Sequence, residues 1–248
     1  MSWVGLLLVG LAVTDLVFSA RPGRLLPQLL GVLAAVSAAL LWGLTDWRDL
    51  AVLAGVVVAV LLWGLFVTRG FGRGPAWLPL VWLTVCLAAV LLAAPAAPGA
   101  GGLVGRWLEH AGAGLTPDRA LLLTGLVLAQ LSTGNVVVRL VLAATGTMNP
   151  ARTGPDGRRL EAPPHSLKGG RLLGPMERVF IVGMGLAGQL TAASIVVAAK
   201  GLLRFPELQA SRDAGDAGPG IHAVTEYFLV GSFASWLYAL GFLGLALV

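Results

Sequence analysis

The stretch LAVLAGVVVAVLLWGLFVT, residues 50–68, decides the class of this protein. It has no charged residue, and its length is close to the ~20 apolar residues that a helix needs to cross a bilayer. The whole chain has the same character, because 57% of its 248 residues are hydrophobic and only 12% are charged. A water-soluble domain would need more surface charge. The sequence therefore predicts an all-α membrane protein, since lipid offers no partner for an unpaired backbone group.

Six further stretches are apolar and long enough to cross a membrane. The seven predicted spans are residues 2–20, 25–45, 50–68, 76–94, 120–138, 179–199 and 227–248. Thr116, followed by Pro117, predicts an N-cap for the fifth span. The segment 102–112, with Trp107, is too short to span and is expected to lie at the interface. We therefore expect a bundle of about seven transmembrane helices.

The basic residues predict the orientation of this bundle. The net charge is +5, from 17 Lys and Arg against 12 Asp and Glu. Because these residues lie between apolar runs rather than along one face, they indicate topology and not nucleic-acid binding. One side carries Arg21, Arg24, Arg69, Arg73, Arg152, Arg158, Arg159, Lys168 and Arg171, and the other Arg48, Arg106, Arg119, Arg204 and Arg212. The first side is predicted to be cytoplasmic, with the N-terminus outside and the C-terminus inside a bacterial plasma membrane.

Three regions are predicted along the chain. Residues 1–144 hold helices one to five, residues 145–170 form a flexible Gly-, Pro- and Arg-rich cytoplasmic loop, and residues 171–248 form a hairpin of helices six and seven. Gly183, Ala187 and Thr191 in helix six recur every four residues, as do Gly231, Ser235 and Ala239 in helix seven. Small residues at this spacing let membrane helices approach closely. They predict a tight hairpin or, on a free face, an oligomer contact.

Metal and cofactor sites are not predicted. The three histidines lie in different loops or helix ends, and none has more than one Asp or Glu at helical spacing. The single cysteine, Cys86, lies within an apolar run. Asp46 and Asp49 in the stretch DWRD are more typical of caps on the third helix than of a magnesium–diphosphate motif. The sequence has no Walker A motif and no GxSxG motif. Its one GxGxxG match, GMGLAG at residues 183–188, lies within an apolar run and does not open a βαβ unit.

Polar residues within the spans give two candidate groups: a stripe along helix six and a set of charges on the inner side. Arg178, Gln189 and Lys200 are eleven residues apart and would share one face of a continuous helix six. Gln189 would then pair with Gln130 of helix five or face a cavity.

The second group consists of charges near the cytoplasmic boundary of the membrane. Arg139 is predicted there, beside Glu177 and Arg178 of helix six and Asp15 of helix one. A structural ion pair of Arg139 with Glu177 or with Asp15 would lower the cost of burial, and snorkelling anchors explain the same residues equally well.

A third group is predicted at the outer membrane level. Lys200 and Arg204 lie one turn apart on helix six, and Glu226 opens helix seven. Each residue alone is typical of an interface anchor. Together they make a candidate ligand-binding site, because two cations meet a carboxylate from another helix.

The last third of the chain resembles a bacterial integral-membrane family catalogued only as a domain of unknown function. The resemblance rests on GGRLLGPMER (residues 169–178), AAKGLLRFPE (residues 198–207) and TEYFLVGS (residues 225–232). It marks Glu177, Arg178, Gln189, Lys200, Arg204 and Glu226 among its positions. The histidines of the family pattern have no counterpart near Asp15. The resemblance implies a membrane protein and no particular reaction.

These residues favour a binding protein. We expect it to bind or pass a small anion or an anionic amphiphile, with Lys200 and Arg204 as cationic contacts, Glu226 orienting them and Gln189 lining the path. Membrane lipid is the expected surrounding. An enzyme acting on a lipid-linked substrate, with Glu226 as base beside Lys200, is one alternative. An accessory subunit that binds another membrane protein through its small-residue faces is the other.

Overall fold

The computed structural model describes residues 1–23, 25–72, 74–147, 170–203 and 221–247. Within these residues the regular structure is helical, with no strand. The α-helices are α1 (Ser2–Ala20), α2 (Leu26–Leu41), α3 (Trp47–Gly70), α4 (Trp77–Ala93), α5 (Gly102–His110), α6 (Pro117–Leu131), α7 (Thr133–Ala144), α8 (Gly170–Leu186), α9 (Leu190–Leu203) and α10 (Ile221–Leu247). One 3₁₀ turn, Ala94–Ala96, extends α4. The all-α prediction is confirmed for these residues.

Four of these helices are long and apolar enough to cross a membrane. They are α1, α3, α4 with its 3₁₀ turn, and the Thr225–Leu247 part of α10. The pair α6–α7 adds a fifth if it is counted as one bent span. The α2 helix is apolar but shorter, with 16 residues. By length and composition, four or five spans of the described chain could therefore cross a membrane. Seven spans and their orientation stay predictions.

The chain forms two compact units, Met1–Val136 and Val137–Val248. The division falls within α7, eight residues before the predicted boundary at residue 144. The predicted loop 145–170 lies almost wholly outside the described residues.

Unit 1 is built around α1. Gly10 and Thr14 of α1 meet Gly31 of α2, and Gly10 also meets Ala35, so α1 and α2 run in opposite directions. A Cβ on Gly5 would lie 2.7 Å from the backbone of Leu121 on α6. The glycines therefore let α1 touch its neighbours backbone to backbone, as small residues do in membrane helices.

Local signals in unit 1 act as the sequence predicts. Asp46 is the N-cap of α3, and its backbone N–H donates to Asp49 Oδ2 at 3.3 Å. The Thr116 hydroxyl accepts from the backbone N–H of Arg119, with Pro117 in the first turn of α6. The capping roles of DWRD and of Thr116 are confirmed. The short α5 helix also forms where a non-spanning helix is expected, and Trp107 on it is exposed.

The fifth predicted span is bent. The α6 and α7 helices meet at Ser132 with an angle of 47° between their axes. The Ser132 hydroxyl donates to Ala12 O of α1 at 2.8 Å and to Leu128 O of its own helix at 2.9 Å. Because a serine that bonds back to the preceding turn competes with the backbone ladder, it accounts for the bend at this position.

Unit 2 differs from the predicted hairpin of helices six and seven. Arg178 meets Ser235, Glu177 meets Trp236, and Gly185 lies against Leu243, so residue numbers rise together along α8 and α10. Two helices with this pairing run in the same direction. Consecutive spans joined by one loop would run in opposite directions. The chain must therefore return between Leu186 and Ile221 to the end at which α8 begins.

The physical cause is a break in the sixth predicted span. Helix α8 ends at Leu186, and Gly188 takes a left-handed conformation, with φ of 73°, before α9 starts at Leu190. Glycine adopts this conformation without the cost that a Cβ imposes. Ala193 of α9 then packs in one apolar cluster with Ile181 and Val182 of α8. The chain turns back at this point instead of continuing as one helix over residues 179–199.

Candidate functional site

Two buried aspartates of unit 1 are bonded to tryptophans. Trp63 Nε1 of α3 donates to Asp15 Oδ1 of α1 at 3.0 Å, and Trp3 Nε1 of α1 donates to Asp49 Oδ1 of α3 at 2.6 Å. All four side chains are at most 3% exposed. Each helix thus gives one indole and one carboxylate to its neighbour. These bonds fix α1 and α3 in parallel, because a buried carboxylate is costly without donors.

The Asp15 carboxyl group also faces the joint between α6 and α7. The Thr133 hydroxyl, at the start of α7, lies beside it, outside hydrogen-bonding geometry. Gln130, one turn earlier on α6, is fully buried. Asp15 therefore belongs to a buried polar cluster, and its neighbours within unit 1 include Trp63 and Thr133. The ion pair of Asp15 with Arg139 stays a prediction.

The buried charges of unit 2 lie between α8 and α10. Arg178 Nη1 donates to Ser235 Oγ at 3.2 Å, and Glu177 Oε1 accepts from Trp236 Nε1 at 2.9 Å. Arg178 and Glu177 are 1% and 6% exposed. Arg139 of α7, the predicted partner of Glu177, is exposed on the surface of the protein. The structure thus places Glu177 and Arg178 in a helix contact with α10.

Only small residues of α10 in the predicted pattern lie in the contact with α8. Ser235 and Ala239 of α10 are buried against α8, as expected. On the other side Gly183 is exposed, with no atom near its missing Cβ, and Ala187 lies in the turn after α8. The close approach is made instead by Gly185, where a Cβ would collide with the side chain of Leu243. The break at Gly188 changes which residues of α8 face α10.

An apolar groove runs between α7 and α10. Its volume is about 460 Å³, within the ~300–1,000 Å³ of typical small-molecule pockets. The lining residues are Val137, Val141, Val230, Phe233, Ala234, Leu237 and Tyr238. Leu142 faces Gly231 and Thr147 meets Glu226, so α7 and α10 run in opposite directions. The side chains that line the groove suit an aliphatic chain.

The groove leads towards a polar end of unit 2. The Thr147 hydroxyl, three residues after α7, donates to Glu226 Oε1 at 3.4 Å, and Glu226 is exposed. The distribution of basic residues predicts Thr147 on the inner side and Glu226 on the outer side of the membrane. This contact places them at the same end, which corrects the predicted level of Glu226. The reason is again the return of the chain between α8 and α10.

The other predicted ligand-binding residues fall partly outside the described residues. Lys200 belongs to the last turns of α9, and its side chain is not among those described. Arg204 follows α9 directly and lies outside the described residues. Gln189 is exposed in the turn between α8 and α9, so Arg178, Gln189 and Lys200 do not share a face of one helix. The expected polar stripe is therefore wrong, because its helix is interrupted.

The tryptophan and serine partners were missed by sequence reasoning. Trp3, Trp63 and Trp236 each place an indole N–H on a carboxylate of another helix. A partial signal was present, since Asp15 is the one charged residue of its span and needs a donor. Which donor it finds depends on helix packing.

No family model, curated protein or solved structure matches the chain.

Proposed function

We propose that this protein binds an anionic amphiphile of the membrane through unit 2, with the apolar chain of the ligand in the groove between α7 and α10. The observation that carries the proposal is the groove itself, whose apolar walls end near a polar contact. An amphiphile needs both parts: an apolar surface for its chain and polar groups for its head.

The head group would lie at the end of unit 2 that holds Glu226. The chain turns back at Gly188, so α9 leads from the far end of α8 towards this end. Lys200 belongs to the last turns of α9 and Arg204 follows that helix in the sequence, and cations of these two types suit a phosphate or carboxylate. Glu226 would orient these cations, as proposed from the sequence. Gln189, in the turn at the other end, has no part in this arrangement.

The cellular setting of this proposal is a bacterial plasma membrane with the N-terminus outside. The distribution of basic residues supports that orientation. The parallel course of α8 and α10 supports a revised topology for the C-terminal part of the chain. In this topology α8 starts and α9 ends on the cytoplasmic side. The C-terminus would then lie outside. The resemblance to a membrane family of unknown function stays part of the proposal.

Mass spectrometry of amphiphiles retained by the gently purified protein tests the proposal. Ala234→Phe fills the groove with a ring, and we expect it to lower the retained anionic amphiphile about tenfold, which corresponds to ~1.4 kcal/mol. Gly241→Phe is the matched control. It adds a ring on the same helix at an exposed position with no atom within 4 Å of its Cβ. Equal retention by the two variants would show that the groove does not hold the ligand.

The head-group contacts are tested separately by exchanges that keep the charge. Arg204→Lys replaces a planar fork with a point charge and should weaken retention of the same amphiphile, whereas Arg212→Lys should not. An anchor needs only positive charge near water, so identical behaviour of the two exchanges would mark Arg204 as an anchor. Chemical conversion of the retained amphiphile by the purified protein would favour the enzyme alternative.

A further inference from the structure

The Asp15 carboxyl group of unit 1 has one satisfied and one unsatisfied oxygen. Asp15 is 1% exposed, and its Oδ1 accepts from Trp63 Nε1 at 3.0 Å. Its Oδ2 has no hydrogen-bond partner among the described residues. A buried carboxylate oxygen without a donor is costly in an apolar surrounding. The arrangement needs something more than the indole to be stable.

Thr133 presents the matching unsatisfied group. It is 1% exposed, it lies beside Asp15, and its hydroxyl has no hydrogen-bond partner in the part of the chain that the structure describes. The preceding residue holds it there, because the Ser132 hydroxyl donates to Ala12 O, three residues before Asp15. Two unsatisfied polar side chains are thus fixed next to each other at the bend between α6 and α7.

The described charged groups of unit 1 do not compensate Asp15. Helices α2 and α4 carry no charged residue, and the one charged residue of α7, Arg139, is exposed and belongs to unit 2. The charged residues of α3 and α6 lie near the helix ends: Arg48, Asp49, Arg69, Asp118 and Arg119. Of these, the three arginines are exposed, Asp49 is bonded to Trp3, and Asp118 accepts from the backbone N–H of Ala100. The charge of an ionised Asp15 would therefore lack a counter-ion among the described residues of unit 1.

We propose that Asp15 and Thr133 form a proton-binding site at the joint between α6 and α7. In the protonated state the Oδ2–H of Asp15 donates to the Thr133 hydroxyl oxygen, which satisfies both orphan groups in one bond. On release the proton passes to water and no other covalent bond changes. The remaining carboxylate keeps the Trp63 donor, the Thr133 hydroxyl reverses its role and donates to Oδ2, and the charge faces the positive end of the α7 dipole.

Water is close enough for this exchange. Asp15 lies five residues before the end of α1, or ~7.5 Å along the helix axis. The residues at that end, Ser19 and Ala20, are exposed. Protons would thus enter from the side of the membrane at which α1 ends. This site lies in unit 1 and does not rest on the amphiphile proposed for unit 2.

Infrared spectroscopy of the full-length protein, titrated with pH, tests the site. We expect a carbonyl band of a neutral carboxylic acid that disappears at high pH and is absent from Asp15→Asn. Asp49→Asn is the matched control, since Asp49 is the other buried aspartate bonded to a tryptophan, and it should leave the band in place. Thr133→Val should move the band to higher frequency by removing its hydrogen bond, and Thr133→Ser should restore the wild-type position.

Folding failure of Asp15→Asn does not block the test, because the two Thr133 variants report on the same band in a protein that keeps the carboxyl group. A titrating band that is indifferent to Thr133→Val, or persists in folded Asp15→Asn, overturns the site. The titration is repeated with sodium and with choline as the cation. A band that sodium removes at constant pH overturns proton binding in favour of an alkali cation.

Discussion

Unit 1 and unit 2 arrange their helices by different rules. In unit 1 successive packed helices alternate in direction, and α1 and α3 run parallel only because α2 lies between them in the chain. In unit 2 the packed helices α8 and α10 run parallel. The predicted sixth span, residues 179–199, is interrupted by a turn at Gly188 instead of forming one continuous helix. The comparison shows that an apolar run long enough to cross a membrane does not always form one span.

The two units also differ in how they treat polar groups and space. The most apolar part of α1 is 67% buried, whereas that of α10 is 33% buried. Unit 1 closes its core with glycine contacts and Trp–Asp bonds, and keeps one carboxyl oxygen unsatisfied there. Unit 2 gathers its polar bonds between α8 and α10 and leaves a groove beside α7. This difference is why we propose amphiphile binding for unit 2 and proton binding for unit 1.

Cysteine labelling tests the parallel course of unit 2 with an all-or-none result. In a protein with Cys86 replaced by serine, single cysteines at Gly157, Ala217 and Leu247 are probed with an impermeant thiol reagent in intact cells. We expect positions 157 and 217 to be shielded and position 247 to be labelled, because the start of α10 lies at the same end as Thr147. Seven full crossings predict instead that position 217 alone is labelled, which is the outcome that would break the comparison.

The buried charges of unit 2 give the next largest effect. Arg178→Met removes a guanidinium that is 1% exposed and donates to Ser235, and it leaves Glu177 buried nearby. Removing one partner of a buried charged pair costs about 3–5 kcal/mol, because the other charge stays buried. We expect a loss of this size in the unfolding free energy measured by titration with SDS in mixed micelles.

The control for that loss is Arg139→Met, at an exposed arginine of α7. It should cost far less, because exposed ion pairs contribute little. The double change with Glu177→Gln tests the pair that the sequence predicts. Additive losses mean that Arg139 and Glu177 do not interact, whereas a combined loss smaller than the sum would support the predicted ion pair.

The sequence predicts what depends on local chemistry. The helical class, the caps at Asp46 and Thr116, and the short α5 helix all follow from residues close together in the chain. The Asp15 cluster was predicted as a polar site, but its partners Trp63 and Thr133 were not, because they come from helices 48 and more residues away. The hydropathy of residues 179–199 also does not predict the turn at Gly188, because the hydropathy of a glycine is the same in a turn and in a helix.

At Gly188, the sign of the change in unfolding free energy caused by Gly188→Ala distinguishes a turn from a continuous helix. Gly188 has φ of 73°, and an alanine there would cost ~1–2 kcal/mol, because a Cβ crowds the backbone in the left-handed region. In a continuous helix over residues 179–199 the same change would instead stabilise by ~0.5–1 kcal/mol, because alanine has less backbone freedom to lose.

Gly183→Ala is the matched control for this change. It lies within α8 with no atom within 4 Å of its Cβ, so alanine is expected to stabilise there. SDS titration of both variants gives the comparison directly. Opposite signs support the turn that sends α9 back towards the start of α10. Two stabilising changes would mean that helix six is continuous, and the parallel packing of α8 and α10 would then have to be abandoned with it.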